Sequence, residues 1–529
     1  MLNVQMHEVM LIQKIPSAIW PFLFPVIILS IFAILNLVIA PLLSSKHTKK
    51  GRTGVVFFMA VIALLLCTFS ALFNFTLTSE TLFAGLLVFD NLAKYSTIVL
   101  CLGGLFSIIN LYESEIACDQ REETPLPAEV YILLLFSLIG MIILASTTHL
   151  FMMFVALEIM SYSIYVMVAI RRTSKNSSEA GLKYFIMGGV SSAFFLYGLV
   201  LVFGNLGTLE LTKASLALTL LNPHQILLLI VGSIMIIGAL LFKVGAFPFH
   251  SWVADVYQGA NTAITGFMAS AVKFASFIMI LRLTKYLFFA STTASTNAST
   301  NVSANSEAIF LVLSISALLT MIWGNVLAIQ QSNIKRLLAY STIAHTGYLL
   351  LAVLASQNSV RSFEALIFYL TAYFFSTLGT FAVLSLFRDK DDKNDKELES
   401  ELTIDSLRGM GFKHHLLGVA FTLFLLSFAG IPLTAGFIGK FFLFSSILPK
   451  IHFTFVIVAV LTSLISLSYY LKLIAVMYMR GEERMYGVVD RLEYNPVNAT
   501  TIIISFTAIF TLFLGIFPGP MLTIIASLF

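Results

Sequence analysis

Four ionisable side chains stand deep inside stretches that hold little else polar. Glu158 is centred in FMMFVALEIMSYSIYVMVAI, Lys243 follows the apolar run ILLLIVGSIMIIGALLF, Lys273 sits in GFMASAVKFASF and Lys440 in AGFIGKFF. Lys183 opens the next apolar stretch in GLKYFIMGG, and His345 belongs to YSTIAHTGYLLL. A charged side chain at mid-membrane costs about 2.5–3.5 kcal/mol on insertion scales, so such residues call for a function. Burial disfavours the charged form of a lysine and a nearby carboxylate restores it. A lysine held between those influences releases or accepts a proton when a neighbouring charge moves. Glu158 with Lys183 is the candidate pair for such a switch, with Lys243 and Lys273 as the next stations. Lys183 lies close enough to a boundary to snorkel instead, and His345 could be a neutral histidine bonded to a hydroxyl or carbonyl. Lys94 and Lys472 read as paired or snorkelling side chains.

These residues must be carried by membrane helices. The chain has 529 residues, is 58% hydrophobic and 11% charged, and has a mean hydropathy of +0.94. A soluble protein would carry about 25% charge. At about 20 apolar residues per crossing, roughly fourteen spans fit. They fall at 20–41, 54–75, 86–110, 129–147, 149–170, 181–204, 225–246, 258–284, 307–330, 334–355, 362–387, 414–447, 453–479 and 499–528. Two carry a break: the seventh ends in VGAFPFH around Pro248, and LSFAGIPLTAGFIG interrupts the twelfth around Pro432. Each break falls in the fourth span of a five-span group, 129–284 and 307–479. Gly/Pro-broken helices in corresponding places mark a transporter-like site, because the freed backbone groups line a hydrated gap.

With the N-terminus outside, the inner loops hold SSKHTKKGR, RRTSK, SNIKR, RDKDDKNDK and RGEERMYGVVDR. That places about 19 Lys and Arg inside against about 5 outside, in line with the positive-inside rule. The acidic loop ESEIACDQREE departs from the bias. STTASTNASTNVSANS outside and RDKDDKNDKELESEL inside read as disordered. The first 18 residues lack the pattern of a cleaved signal. Cys67, Cys101 and Cys118 are far apart in sequence, which argues against a disulfide framework, a zinc site or an iron–sulfur ligand set. No basic stripe with interleaved aromatics suggests nucleic acid.

Three long segments, FKVGAFPFHSWVADVYQGANTAITGFMA, KRLLAYSTIAHTGYLL and LLSFAGIPLTAGFIGKFFLF, resemble the antiporter-like membrane subunits of respiratory complex I, NADH:quinone oxidoreductase. The resemblance runs over about residues 130 to 480. DVYQGA, a lysine rather than a glutamate after the second break, and an end after span fourteen resemble the N-type, or subunit 2, member. The resemblance implies an all-α fold of fourteen helices with two inverted five-helix repeats: residues 129–284 (helices 4–8) and 307–479 (helices 9–13). Residues 1–128 supply three helices before them, 285–306 a polar outer loop, and 480–529 the last helix. It implies that Glu158, Lys183, Lys243, Lys273, His345 and Lys440 form a proton relay through a hydrated axis. The complex would use NADH, FMN, iron–sulfur clusters and quinone, none of them held by this chain. The implied partners are M-type and K-type membrane subunits and the lipid bilayer of a bacterial inner membrane, with an organellar membrane as the alternative. A subunit of a cation/proton antiporter or of a membrane-bound hydrogenase is the competing assignment. The family often has proline at positions 254, 261 and 433 and glutamate at 258; here Ala254, Asn261, Leu433 and Gln258 stand instead.

Overall fold

The structure is a computed structural model that describes residues 20–43, 49–75, 80–83, 85–119, 126–171, 174–218, 221–288, 299–356, 360–389, 402–448, 453–479, 492–494 and 498–528. Among these, twelve helices are long and apolar enough to cross a membrane. Glu129–Ala145 adds a shorter crossing, and His415–Ala429 with Ala435–Ile447 forms one broken crossing. The chain is therefore an integral, multi-pass, all-α membrane protein.

In order, the spans are Trp20–Leu43, Lys49–Asn74, Asn91–Asp119, Glu129–Ala145, Leu150–Val168 and Lys175–Leu206. The seventh is Pro223–Val244, followed after its break by the short helix Ser251–Gly259, which is not among the crossing helices. The eighth runs Thr262–Phe288 with a π-helical turn at Met268–Val272. Ser299–Ile329, Ile334–Ala355 and Val360–Ser385 follow, then the broken twelfth, Phe453–Met477 and Asn498–Ile516. The eighth, tenth and eleventh are the most deeply buried, so they form the centre of the bundle.

The two five-span groups repeat one geometry. In the first, Leu150 N–H donates to Leu209 O and Leu211 N–H to Thr148 O, closing a bridge between His149 and Glu210. In the second, Ile334 N–H donates to Leu402 O and Ile404 N–H to Ser332 O, closing the bridge Asn333–Thr403. Each group thus ties the start of its second span to the loop after its third. Helix contacts repeat too: a Cβ at Gly140 would lie 2.6 Å from Met160 N, and one at Gly324 would lie 2.6 Å from Ala344 N. Five is odd, so the second group enters the membrane from the opposite side and the repeats are inverted.

Several boundaries differ from the sequence expectation. Leu87–Phe89 is not the start of the third span but a strand, paired with Glu80–Leu82. The third helix instead runs on to Asp119, through much of the expected acidic loop. That extension lets Glu113 accept from Ala499 and Thr500 N–H, satisfying donors that the start of a helix leaves open. The ninth helix begins at Ser299, inside the expected disordered run, whose residues 291–298 lie outside the described residues. Phe387–Asp389 pairs with Leu492–Tyr494, while 390–401 and the N-terminal segment 1–19 lie outside the described residues. Cys67 and Cys101, distant in sequence, bring their thiol sulfurs to 3.1 Å.

Candidate functional site

The first helix break sets the position of Lys243. The seventh helix stops where Gly245 takes a left-handed φ of 70°, a conformation glycine adopts without strain. Inside a membrane the freed backbone groups need partners, and neighbouring side chains provide them. Thr346 Oγ1 donates to Val244 O at 3.0 Å and Ser316 Oγ to Phe247 O at 2.6 Å, while Trp252 Nε1 adds a second bond, at 3.2 Å, to Phe242 O, which Gly245 N–H already reaches. Phe247 N–H donates to Thr320 Oγ1 at 2.9 Å. Lys243 is left to side chains: its Nζ donates to Ser161 Oγ at 2.6 Å and Tyr165 OH at 2.9 Å.

Ser161 and Tyr165 lie three and seven residues after Glu158 on one helix face, so hydroxyls lead from the carboxylate towards the lysine. Glu158 Oε1 accepts from Ser192 Oγ on the sixth span. Oε2 is buried with no hydrogen-bond partner among the described residues.

Lys183 does not meet Glu158, which corrects the pairing expected from sequence. Its Nζ lies 2.8 Å from Asp255 Oδ2 and 2.7 Å from Glu179 Oε1, on a side chain 43% exposed. Ser192, the contact of Glu158, is nine residues further on, roughly 13 Å along the same helix at 1.5 Å per residue. Asp255 also receives Arg336 Nη1 at 2.7 Å, and Gln258 Oε1 accepts from the same nitrogen at 2.9 Å. Burial pushes the Asp255 carboxyl up, but its hydrogen bonds from Lys183 and Arg336 outweigh that and hold it below its ordinary value. These groups line a cavity of about 190 Å³ at the end of the bundle.

Lys273 follows the π-helical turn and donates to Thr342 O at 2.7 Å. Thr346 Oγ1 also donates to that carbonyl, at 3.0 Å, as well as to Val244 O. One threonine thus links the neighbourhoods of Lys243 and Lys273. His345 hydrogen-bonds with Tyr369 OH through Nδ1 and with Tyr470 OH through Nε2, at 2.5 and 3.0 Å. It lies between two lysines with one ring on each side. Lys273 Nζ is 5.1 Å from the Tyr373 ring, whose centre is 5.1 Å from the His345 ring. Lys440 Nζ is 5.3 Å from the Tyr348 ring, itself 5.8 Å from His345.

The second break begins at Gly430, φ 80°, with Leu433 also left-handed at φ 74°. A proline, frequent in the family at 433, fixes φ near −65° and could not adopt this path. Lys440 reaches back across the break to Phe428 O at 2.8 Å and Ala429 O at 3.3 Å, and to Ser463 Oγ at 2.9 Å.

Glu158, Lys243, Lys273, His345 and Lys440 therefore form one buried row, each bonded to hydroxyls or carbonyls. Sequence reading missed those hydroxyl partners. It also missed Arg282, which is buried, forks onto Asp90 at 2.7 and 3.0 Å, and donates to Ala145 O at 2.9 Å. SNIKR counts with the inner loops for its charge, and Lys335 and Arg336 lie in the first turn of the tenth helix, inside the expected span 334–355. Lys335 is buried there and donates to Ala260 O at 2.9 Å. Lys94 is buried beside the Phe22 ring, and Lys472 faces outward. Among the described residues, no three His, Cys, Asp or Glu side chains are grouped to hold a metal ion.

Residues 147–466 match the family model described as NADH:quinone oxidoreductase/Mrp antiporter, transmembrane. The chain is 34% identical to NADH-quinone oxidoreductase subunit N of Trichlorobacter lovleyi over 87% of its own length and 88% of the relative's. It is 39% identical to the protein of that name from Mycobacteroides abscessus, over 76% and 72%. A chain in the structure of respiratory complex I from Thermus thermophilus superposes with a TM-score of 0.74 at 30% identity, covering 95% of this chain and 99% of that one. A chain of the Mrp complex from Dietzia sp. shares the fold, with a TM-score of 0.75 at 18% identity over 94% and 96% of the two chains.

Proposed function

Because the chain belongs to the NADH:quinone oxidoreductase/Mrp antiporter transmembrane family, we propose that its buried row of ionisable groups is a path for protons. The chain is an antiporter-like membrane subunit of an NADH-quinone oxidoreductase. The observation that carries the reading is the spacing of the row. Lys243, Lys273 and Lys440 are buried, and the residues between them are Ser, Thr, Tyr and His, which can both donate and accept protons.

In this mechanism no redox chemistry occurs on the chain; NADH, FMN, iron–sulfur clusters and quinone belong to other subunits. Energy arrives as a change of charge or shape at Glu158, whose second oxygen lacks a partner here. Exposed apolar side chains on its own helix, Tyr162 and Val166, mark the face on which a neighbouring membrane subunit would sit. K-type and M-type subunits are the proposed neighbours. A charge moved near Glu158 changes its hold on Lys243 through Tyr165 and Ser161. Lys243 then releases its proton towards Thr346 and Lys273. His345 relays it to Lys440, from which it leaves through the second break. Lys183, with Asp255 and Arg336, lines the opening at the Lys/Arg-rich end, proposed to face inward.

The test is a native gel of mildly solubilised membranes, probed for this chain and stained for NADH dehydrogenase activity. Migration in a large NADH-active band is expected. Migration elsewhere, with activity that depends on a sodium gradient, would overturn the assignment in favour of an antiporter assembly. Within the complex, Lys243→Ala should lower proton pumping while assembly persists; unchanged pumping would remove Lys243 from the path.

A further inference from the structure

Arg282 lies buried in the last turn of Lys273–Leu283, the α-helical segment of the eighth span that begins with Lys273. Its guanidinium forks onto both oxygens of Asp90, at 2.7 and 3.0 Å, and its Nε donates to Ala145 O at 2.9 Å. Both partners are anchored. Asp90 Oδ1 accepts from Ala93 N–H at 2.9 Å and caps the third span. Ala145 is the last residue of the fourth span, where a helix leaves its carbonyls without partners. Val88 N–H donates to Ser146 O, which ties those two helix ends to each other. Arg282 therefore pins the eighth span to a fixed point.

Lys273 stands nine residues before Arg282, about 13 Å along the axis and half a turn around it at 3.6 residues per turn. The two side chains leave the helix on opposite faces. Arg282 points to the third and fourth spans, and Lys273 to Thr342 O of the tenth at 2.7 Å. A π-helical turn bounds the segment on each side, Met268–Val272 before it and Thr284–Phe288 after it. A π turn winds one residue more than an α turn. Passing that residue from one turn to the other would rotate the segment between them by about 100°, the angle of one helical residue. Such a step would carry Lys273 off Thr342 O.

We propose that Arg282 is a positioning residue for Lys273: its hold on Asp90 and Ala145 fixes the rotation of Lys273–Leu283 and keeps the amine on Thr342 O. A buried ion pair is a weak source of stability; this one contributes a single orientation of the helix. Its consequence for transport rests on the proton-path reading, whereas the placement of Lys273 does not.

The experiment uses the purified complex carrying Arg282→Lys, which keeps the charge and loses the fork. Cryo-electron microscopy should show the Lys273 amine displaced from Thr342 O. NADH-driven proton uptake in proteoliposomes should fall about tenfold, less than the 10² that a misplacement of about 1 Å can cost. Because a buried aspartate without its partner can prevent assembly, Asp90→Asn/Arg282→Met is made in parallel. It removes both charges together, keeps an oxygen to cap Ala93, and should show the same loss in a complex of normal size on a native gel. In a Lys273→Met background, where no amine is left to position, adding Arg282→Lys should change the residual uptake by less than about twofold. A further tenfold loss there would show damage unrelated to Lys273 and overturn the proposal. So would a map of either Arg282 variant with Lys273 still seated on Thr342 O. Normal uptake in Lys273→Met alone would fault the proton path rather than the placement, which the map reads independently.

Discussion

The two broken helices solve one physical problem in opposite ways. Each interrupts a membrane helix and frees carbonyls that would be costly without partners. At the first break, Thr346 and Ser316 take Val244 O and Phe247 O, and Lys243 keeps no backbone partner there. At the second, Lys440 itself takes Phe428 O and Ala429 O. A carbonyl only accepts, and an amine has hydrogens to donate whether charged or neutral, so the two carbonyls hold Lys440 in place while its third partner, the Ser463 hydroxyl at 2.9 Å, can exchange its proton. The hydroxyls around Lys243 both accept and donate, so its proton has somewhere to go. One lysine is also a structural part of its break; the other is free to act on its neighbours.

Replacement of each lysine separates these roles. Lys440→Met should have the largest effect, since it stops transport and orphans two buried carbonyls, each worth about 1–3 kcal/mol when left unsatisfied. A lower melting temperature and less complex on a native gel are expected. Lys243→Met orphans only two hydroxyls, which can turn to other acceptors. The complex should assemble at wild-type level while coupled proton uptake falls about a hundredfold or more, the 10²–10⁴ that positioned acid–base groups contribute. Equal assembly defects in the two variants would break the contrast.

Tyr165→Phe sharpens it at a smaller scale. The ring stays over Lys243, 5.0 Å from Nζ, and only the hydroxyl is lost. With one hydrogen bond worth about 0.5–1.5 kcal/mol, uptake should fall only a few-fold. Activity equal to that of Lys243→Met would mean that Tyr165, not Ser161, carries the proton from the lysine.

The lysines were legible in the sequence because a charge inside an apolar run is conspicuous, and the breaks because Gly and Pro punctuate them. The hydroxyl partners were not, since serine and threonine are ordinary in membrane helices. Ser96, Thr97 and Ser107 simply return their hydrogen bond to the preceding turn. Nothing in their spacing distinguishes them from Ser161 or Thr342. Asp90 and Arg282 are 192 residues apart, and only the fold brings them together. Lys183 misled for a related reason: it lies in the helix that contacts Glu158, but more than two turns away, beside carboxylates on other turns. The repeat was visible as layout alone, because what the halves share is glycine at a close helix contact and a backbone bridge, neither of which needs matching side chains.

Asp255 joins the two halves: it stands on the short helix after the first break and holds Lys183 of the first group and Arg336 of the second. Its carboxyl is about one-third exposed, so solvent screens both pairs, and Asp255→Asn should cost only about 0.2–1 kcal/mol at pH 7. The sign of the pH dependence follows from the direction of its shift. A carboxyl held below its unfolded value stabilises above that value, about 3.9, and loses the contribution as pH falls through the folded one. The difference in melting temperature between wild type and Asp255→Asn should therefore be constant from pH 8 to about pH 5 and shrink below about pH 4. A difference that instead grew in acid would mean that Asp255 is protonated in the folded chain and does not hold Lys183 and Arg336 as a carboxylate.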